Sequence, residues 1–562
     1  MAKEEMTARA TLSQKSVTSG ATSGRSESVA GLLLPFAGLG VWNLYFLAKF
    51  ALAAAGYMQI ALLSNALLIA VLLVPLQQTF PKLVRGIVCT AAAFALAWSE
   101  SWLPGIESIR ANAGGIAGFS TNYVLELAID FINWHMVGYA TLGVVLYVLL
   151  KDTVRITFIT LCWFFCLLAT PLIDLYSNGT ASQEAEVTEV AANERTAGDS
   201  VEEAKAVADW YSTFVDYEKA RRAELPAALS EKDTPFDVLV VNICSLSNDD
   251  LVASELENHP TLNRFNIRFD HFNAATSYSG PAALRLLTGA CGQPSHEALY
   301  GERRPECETL NRLTALGFSQ HVMMDHTGEY DAFLSTLREK TGLTAPLESL
   351  GRAIPVRYMG FDDEEILDTL GLLRFWQRST ARTKERRSVT FMNLIALHDG
   401  NRLPRHGRSE PFKPRATKLL DDLGTFMREL ERSGRRVMLV VVPEHGAAVR
   451  GDRIQGPRLR DIPTPSVTQV PVMVRFFGVR GLSTEPLHVA APTSYLGLTS
   501  LIGRTLSSNF FGKRGGAVLL EDLVRDLPET HLVSENGQAR VLRLKGVDYW
   551  RRGDGDWRPY GK

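Results

Sequence analysis

The sequence predicts two architectures in series: an N-terminal all-α transmembrane bundle of five spans, then an α/β domain with a mostly parallel central sheet. Three observations predict this. Residues 30–176 are very poor in charge, the chain after 176 is polar-patterned, and from residue 235 short β-branched runs alternate with helical ones. At 562 residues the chain has room for more than one domain. Its composition is 46% hydrophobic and 21% charged with net charge −2, so there is no basic excess to attract nucleic acid.

Residues 1–29 read as a cytoplasmic tail carrying Lys3, Arg9, Lys15 and Arg25. This polar stretch is too long to precede the core of a cleavable signal peptide. Apolar runs follow at 31–52, 58–76, 86–103, 134–150 and 156–176, each near the roughly 17 to 25 residues a helix needs to cross a bilayer. A buried soluble helix imitates one such run, but not five in succession. Lys49 is the least comfortable residue; near one end of its span, it can snorkel. Basic residues gather after the second run (Lys82, Arg85) and the fourth (Lys151, Arg155), with Arg110 the exception. By the positive-inside rule the N-terminus is cytoplasmic, and an odd number of spans sends the rest outside.

Residues 177–234 read as linker and helix. The Ala/Glu-rich stretch 177–200 reads as a solvated linker, and 201–225 has helical spacing of Val207, Trp210, Tyr211, Phe214 and Tyr217. The globular domain occupies 235–562. Strands are predicted at 237–243, 389–397, 436–442 and 470–477, and helices at 280–287, 332–341, 364–379 and 415–433. Strands separated by helices argue for a doubly wound sheet, whose sites form beyond the carboxyl ends of its strands. Asn536 and Gly537 in "HLVSENGQARVLRL" predict a hairpin turn.

Chemistry-bearing residues collect at the predicted strand ends. The stretch "VVNICSLSND" runs from a strand into Cys244, "VMLVVV" ends in Glu444 and His445, and "VTFMNLIAL" ends in His398. Thiolate, carboxylate and imidazole all bind zinc, and three protein ligands with one open position is a catalytic arrangement. The plainer reading of Cys244 is a small core residue. Cys89, Cys162 and Cys166 lie in apolar runs; Cys244, Cys291 and Cys307 lie in the exported part. Three thiols are an odd number for an oxidising compartment. Cys291 and Cys307 are near enough in sequence to close a loop, which would leave Cys244 alone.

A nucleophile is offered by "TSYSGPAALR". Ser279 precedes Gly280 and Pro281, a helix N-terminal signature, so its plain role is a cap. A hydroxyl there also faces free amides and a positive dipole end, which suit a phosphate. Ser277 is the rival nucleophile, and Tyr278 is a candidate pocket wall.

The motifs "NICSLSNDDL", "TSYSGPAALRLLTGACGQPSHEALY" and "PEHGAAVRGDRIQGPRLRDIPTPSVTQVPVMV", with the apolar runs before them, resemble the phosphoethanolamine transferases of the alkaline phosphatase superfamily. They are most similar to the cellulose-modifying branch encoded with bacterial cellulose synthase. The resemblance implies an alkaline-phosphatase-like periplasmic domain on a multi-pass inner-membrane anchor. It makes Ser279 the covalent nucleophile and Cys244, Glu444 and His445 the Zn2+ ligands, with the Ser279 oxygen completing the site. His398 and Arg460 fall near the phosphate or the attacking hydroxyl, Tyr278 beside the substrate, and Cys291 and Cys307 become a disulfide. The implied donor is phosphatidylethanolamine and the implied acceptor cellulose, with membrane lipids and cellulose synthase subunits as partners.

Most lipid A transferases have an acidic residue in place of Cys244, threonine in place of Ser279 and Asp-His in place of Glu444-His445. Those departures point to the cellulose branch and to a single, tightly held zinc. Other readings stay open from the motifs alone. One is a phosphoglycerol transferase, a lipid A modifier or a hydrolase on the same fold, and the other is a docking subunit of a cellulose synthase.

Overall fold

A computed structural model describes residues 38–54, 58, 60–76, 78–100, 118–130, 134–167, 186–383, 385–483, 485–512 and 520–560. The predicted tail, the start of the first apolar run, the ends of the third and fifth, and Arg110 lie outside these residues. The described chain packs as two compact units divided after 103, 134 and 177. The apolar helices form one unit. Residues 118–130 belong to the other, together with everything from 186 onward.

In the apolar unit, Thr79–Glu100 is, among the described residues, the one helix long and apolar enough to cross a membrane; Leu62–Leu73, Val137–Leu150 and Ile156–Leu167 are shorter apolar helices. Leu62–Leu73 stops short of the predicted run because Pro75 forces Val74 into an extended conformation. Phe46, Phe50, Leu68, Ile69, Leu72, Ala93 and Phe164 form the buried core. Lys49 does not snorkel. It is buried, with its ammonium 2.6 Å from Glu100 Oε2, and it donates to Asn65 Oδ1 at 2.7 Å. A carboxylate and an amide on neighbouring helices satisfy the ammonium where it stands.

The second unit is built on strands β1 (Asp237–Ile243), β2 (Ile267–Phe269), β3 (Ser319–Met324), β4 (Val356–Met359), β5 (Glu365–Leu367), β6 (Ser388–Leu394) and β7 (Val437–Pro443). It continues through β8 (Val472–Phe477), β9 (Leu487–Val489), β10 (Val533–Glu535), β11 (Ala539–Leu544), β12 (Val547–Arg552) and β13 (Arg558–Pro559). The main sheet has seven strands in the order β3-β6-β1-β7-β8-β2-β9. Strands β3, β6, β1 and β7 run parallel; β8 is antiparallel to both β7 and β2, and β2 is parallel to β9. The sheet is therefore mixed, parallel on the side that carries the candidate site.

Alternation along β1 explains its central place. Val238 and Val240 enter one core; Leu239, Val241 and Ile243 enter the core on the opposite face. Helix Phe412–Ser433 covers the second face with Leu419, Leu423, Phe426, Met427 and Leu430. Two predicted boundaries move. Residues 186–200 are helical, within Glu186–Ala220, because an Ala/Glu-rich stretch favours helix over solvated linker. Residues 365–367 form β5, and the next helix starts at Thr369, where the Asp368 carboxylate accepts from Gly371 N at 2.9 Å. The predicted hairpin forms as β10 and β11 within a four-stranded antiparallel sheet.

Candidate active site

The central position of β1 builds the site. Ile243 is in register with Leu394 of β6 and Pro443 of β7, so three strands end side by side. Cys244, the loop 395–400 and the pair Glu444-His445 leave from those adjacent ends. Backbone bonds continue the pairing one residue further: Cys244 N donates to Leu394 O at 2.8 Å and Glu444 N to Ile243 O at 2.8 Å. The chain then turns sharply at Ser245, whose φ is +67°.

One ligand atom each from Cys244, Glu444 and His445 lies within 4.8 Å of the others, and all three side chains are buried. Cys244 Sγ is 3.8 Å from His445 Nε2. The fourth group arrives on the helix Ser279–Leu287. Ser279 Oγ is 3.4 Å from Cys244 Sγ and 3.2 Å from His445 Nε2. Ser279 is not the cap. Tyr278 occupies that position without a side-chain capping bond, and Ser279 is the first helical residue, its hydroxyl turned to the cluster.

The electrostatics favour a cation. Burial, followed by the nearby Glu444, pushes the Cys244 thiol up to about 12. Burial pushes the Glu444 carboxyl up to about 7. Glu444 Oε1 accepts from Asn393 Nδ2 at 2.6 Å, whereas its buried Oε2 has no hydrogen-bond partner among the described residues. His445 Nδ1 is 2.8 Å from Gly446 O. That carbonyl only accepts, so Nδ1 carries the proton and the Nε2 lone pair faces Ser279. Sulfur, carboxylate oxygen and imidazole nitrogen thus converge beside the Ser279 hydroxyl, a donor set that fits Zn2+.

Of the remaining predicted residues, Arg460 reaches this cluster, Tyr278 adjoins Ser279 in the chain, and His398 lies on the loop after the neighbouring strand β6. Arg460 Nη1 lies 3.3 Å from Ser245 Oγ and 3.4 Å from His445 Nδ1. Tyr278 Oη donates to Asp461 Oδ1 at 2.8 Å, and burial with Asp461 holds its phenol above the usual range. His398 Nδ1 is 2.7 Å from Asp399 O, which leaves Nε2 as the acceptor. Burial, then Arg460, pushes the His398 ring down to about 4, so it is neutral near pH 7. Ser277 is separated from the cluster chemistry: it donates to Arg460 O and accepts from Asn536 Nδ2 at 2.7 Å. Cys291 and Cys307 form a disulfide with Cα atoms 4.9 Å apart, and Cys244 is free.

Sequence reasoning missed the supports. Asn393 Nδ2 also donates to Asn242 Oδ1 at 2.9 Å, and Asn242 Nδ2 donates to Val442 O at 2.9 Å. Their signal was visible as an asparagine next to the last residue of each of two largely apolar strands. Asp250, buried, accepts from Ala447 N at 2.6 Å and Val449 N at 3.0 Å and so fixes the loop after His445. Its signal was the Ser247–Asp250 capping box. Tyr123, from the segment 118–130, donates to Asp399 Oδ2 at 3.1 Å, and no local pattern announces that contact.

Comparison with known proteins gives two family matches: the cellulose biosynthesis protein BcsG C-terminal domain over residues 190–557 and the BcsG N-terminal domain over 42–169. The cellulose biosynthesis protein BcsG of Salmonella typhimurium is 40% identical over 541 residues, 93% of this chain and 96% of that protein. That of Escherichia coli is 40% identical over 546 residues, with the same coverage of both. Among solved structures, an alkaline phosphatase superfamily protein from Vibrio parahaemolyticus aligns with TM-score 0.44 at 11% identity, over 62% of this chain and 83% of that one. The lipooligosaccharide phosphoethanolamine transferase EptA of Neisseria meningitidis aligns with TM-score 0.39 at 12% identity, over 84% of this chain and 97% of that one. Matched through both of its domains, the chain belongs to the BcsG family of cellulose biosynthesis proteins.

Proposed function

We propose that this protein transfers phosphoethanolamine from phosphatidylethanolamine to glucosyl C6 hydroxyls of nascent cellulose, through a phosphoethanolamine-serine intermediate. One observation carries the reading: the Ser279 hydroxyl meets a buried Cys244, Glu444 and His445 at adjoining strand ends. Family membership supports a place in cellulose biosynthesis, and the motif resemblance supports the transferred group. The accompanying organisation is a cytoplasmic tail at 1–29, five inner-membrane spans within 30–176, a linker and helix at 177–234, and a periplasmic catalytic domain at 235–562. Anchorage in the membrane raises the concentration of a lipid donor at the site.

Cys244, Glu444 and His445, with Ser279 Oγ, would hold Zn2+. When bound, the ion favours the serine alkoxide and offsets phosphoryl charge. In the first half-reaction Ser279 Oγ bonds to phosphorus, the bond from phosphorus to the diacylglycerol oxygen breaks, and that oxygen takes up the serine proton. In the second, a glucosyl C6 oxygen bonds to phosphorus and the Ser279 oxygen leaves. His398 Nε2, neutral and with its other nitrogen held, takes the hydroxyl proton and passes it to the departing serine oxygen. Arg460 and the first amides of the helix Ser279–Leu287 face the phosphoryl oxygens, and Tyr278 lines the substrate pocket.

The test is mass analysis of secreted polysaccharide from cells carrying this protein. A phosphoethanolamine increment on glucose, lost with Ser279→Ala, is expected. Its appearance on lipid A instead, or its persistence in the variant, would refute the proposal.

A further inference from the structure

Residues 118–130 lie, in sequence, between two apolar runs, yet they pack within the catalytic unit. The helix Thr121–Asp130 is placed by contacts to loops that border the site. Ser120 N donates to Phe361 O at 2.8 Å. Phe119 meets the Phe361 ring edge-on, with centroids 5.4 Å apart. Glu126 accepts from Ser409 N at 3.1 Å and from Ser409 Oγ at 2.9 Å. Tyr123, 8% exposed, extends its hydroxyl to Asp399 Oδ2 at 3.1 Å.

These contacts converge on His398. Its ring stacks on Phe361, with centroids 4.4 Å apart and planes at 30°. Its Nδ1 is held by Asp399 O, and its own carbonyl accepts from Arg415 Nη1 at 2.6 Å. Gly400, at φ +84°, has no room for a side chain: a Cβ there would come within 2.7 Å of the Tyr123 ring and of Phe361 Cβ. The chain therefore bends tightly at 398–400 against an aromatic wall made partly by Tyr123. A hydroxyl from a segment 276 residues away holds the residue that orients His398.

We infer that Tyr123 is a positioning residue of the transfer reaction: through Asp399 and the aromatic wall it holds His398 in place for the acceptor half-reaction. This rests on the reaction proposed above. Phosphoserine formation does not use His398, so the two half-reactions should respond differently. A merely structural residue would impair both.

The test uses the full chain in phosphatidylethanolamine vesicles with a soluble cello-oligosaccharide acceptor. It compares wild type, Tyr123→Phe, Asp399→Asn and the double variant. Tyr123→Phe is expected to lower the kcat for transfer roughly tenfold, the size of losing one hydrogen bond to a charged group, while Ser279 labelling without acceptor stays at the wild-type level. The double variant should be no slower than Asp399→Asn alone. Transfer within twofold of wild type, or equal loss of labelling and transfer, overturns the inference. Should wild type show no label at Ser279, the reaction reading has failed, and amide exchange at 398–401 decides the bracing separately. Faster exchange in Tyr123→Phe supports it, and unchanged exchange overturns it.

Discussion

Asn393 shows how much of the candidate site depends on residues that stand behind it. Its amide donates to Glu444 Oε1 and to Asn242 Oδ1, at 2.6 and 2.9 Å, so the carboxylate is oriented from behind. Partners behind a metal ligand typically govern affinity by 10–100-fold. With Zn2+ held as proposed by Cys244, Glu444 and His445, Asn393→Ala should lower zinc retention by about that factor, read as metal content after dialysis against graded chelator. Retention equal to wild type would separate Asn393 from the metal. A second residue pair divides chemistry from architecture. Ser279→Ala should abolish labelling by the headgroup donor. Ser277→Ala, which loses bonds to Arg460 O and Asn536, should keep labelling and lose about 1 kcal/mol of stability. Labelling that vanished with Ser277→Ala and survived Ser279→Ala would exchange their roles.

Among the elements, legibility follows burial and length. Strand β1 coincides with its predicted bounds because an apolar run buried on both faces has one stable use. The ends of β6 and β7 shift by only a few residues, so the site's location at their carboxyl ends was readable. Strands β2 and β9, three residues each, give no period to read and were missed. β3 was missed because half of it is polar: His321 lies between Glu348 Oε1 at 3.0 Å and Glu385 Oε2 at 2.8 Å. That pair has a pH signature. Burial alone would lower the His321 pKa, but hydrogen bonds to Glu348 and Glu385 outweigh it and raise the value. A raised folded-state pKa means stability fully present below about pH 6.5 and lost as pH rises through the folded value. The stability advantage of wild type over His321→Gln should thus be larger at about pH 5.5 than at about pH 8.5. Chemical denaturation at both values checks this, and a constant difference would remove the charged pairing from β3.

For the whole molecule, the sequence could not show what the apolar unit does with its charges. Hydropathy scores residues singly, so Lys49 reads as a misfit near a span end, and its partner Glu100 reads as the edge of another run. In the structure they are 2.6 Å apart and almost inaccessible, bridged by Asn65, whose Nδ2 donates to Glu100 Oε1 at 2.6 Å. Two charges withdrawn from water stabilise little on balance, because desolvation offsets attraction; removing one of them strands the other and costs about 3–5 kcal/mol. Lys49→Met should accordingly lower the Tm of the purified protein well beyond an ordinary surface substitution, and Glu100→Leu should do the same. The combined variant should recover most of the loss, since an apolar pair needs no compensation. Equal and additive losses, with no recovery in the combined variant, would mean that Lys49 and Glu100 contribute independently and that the three helices are held by their apolar packing alone.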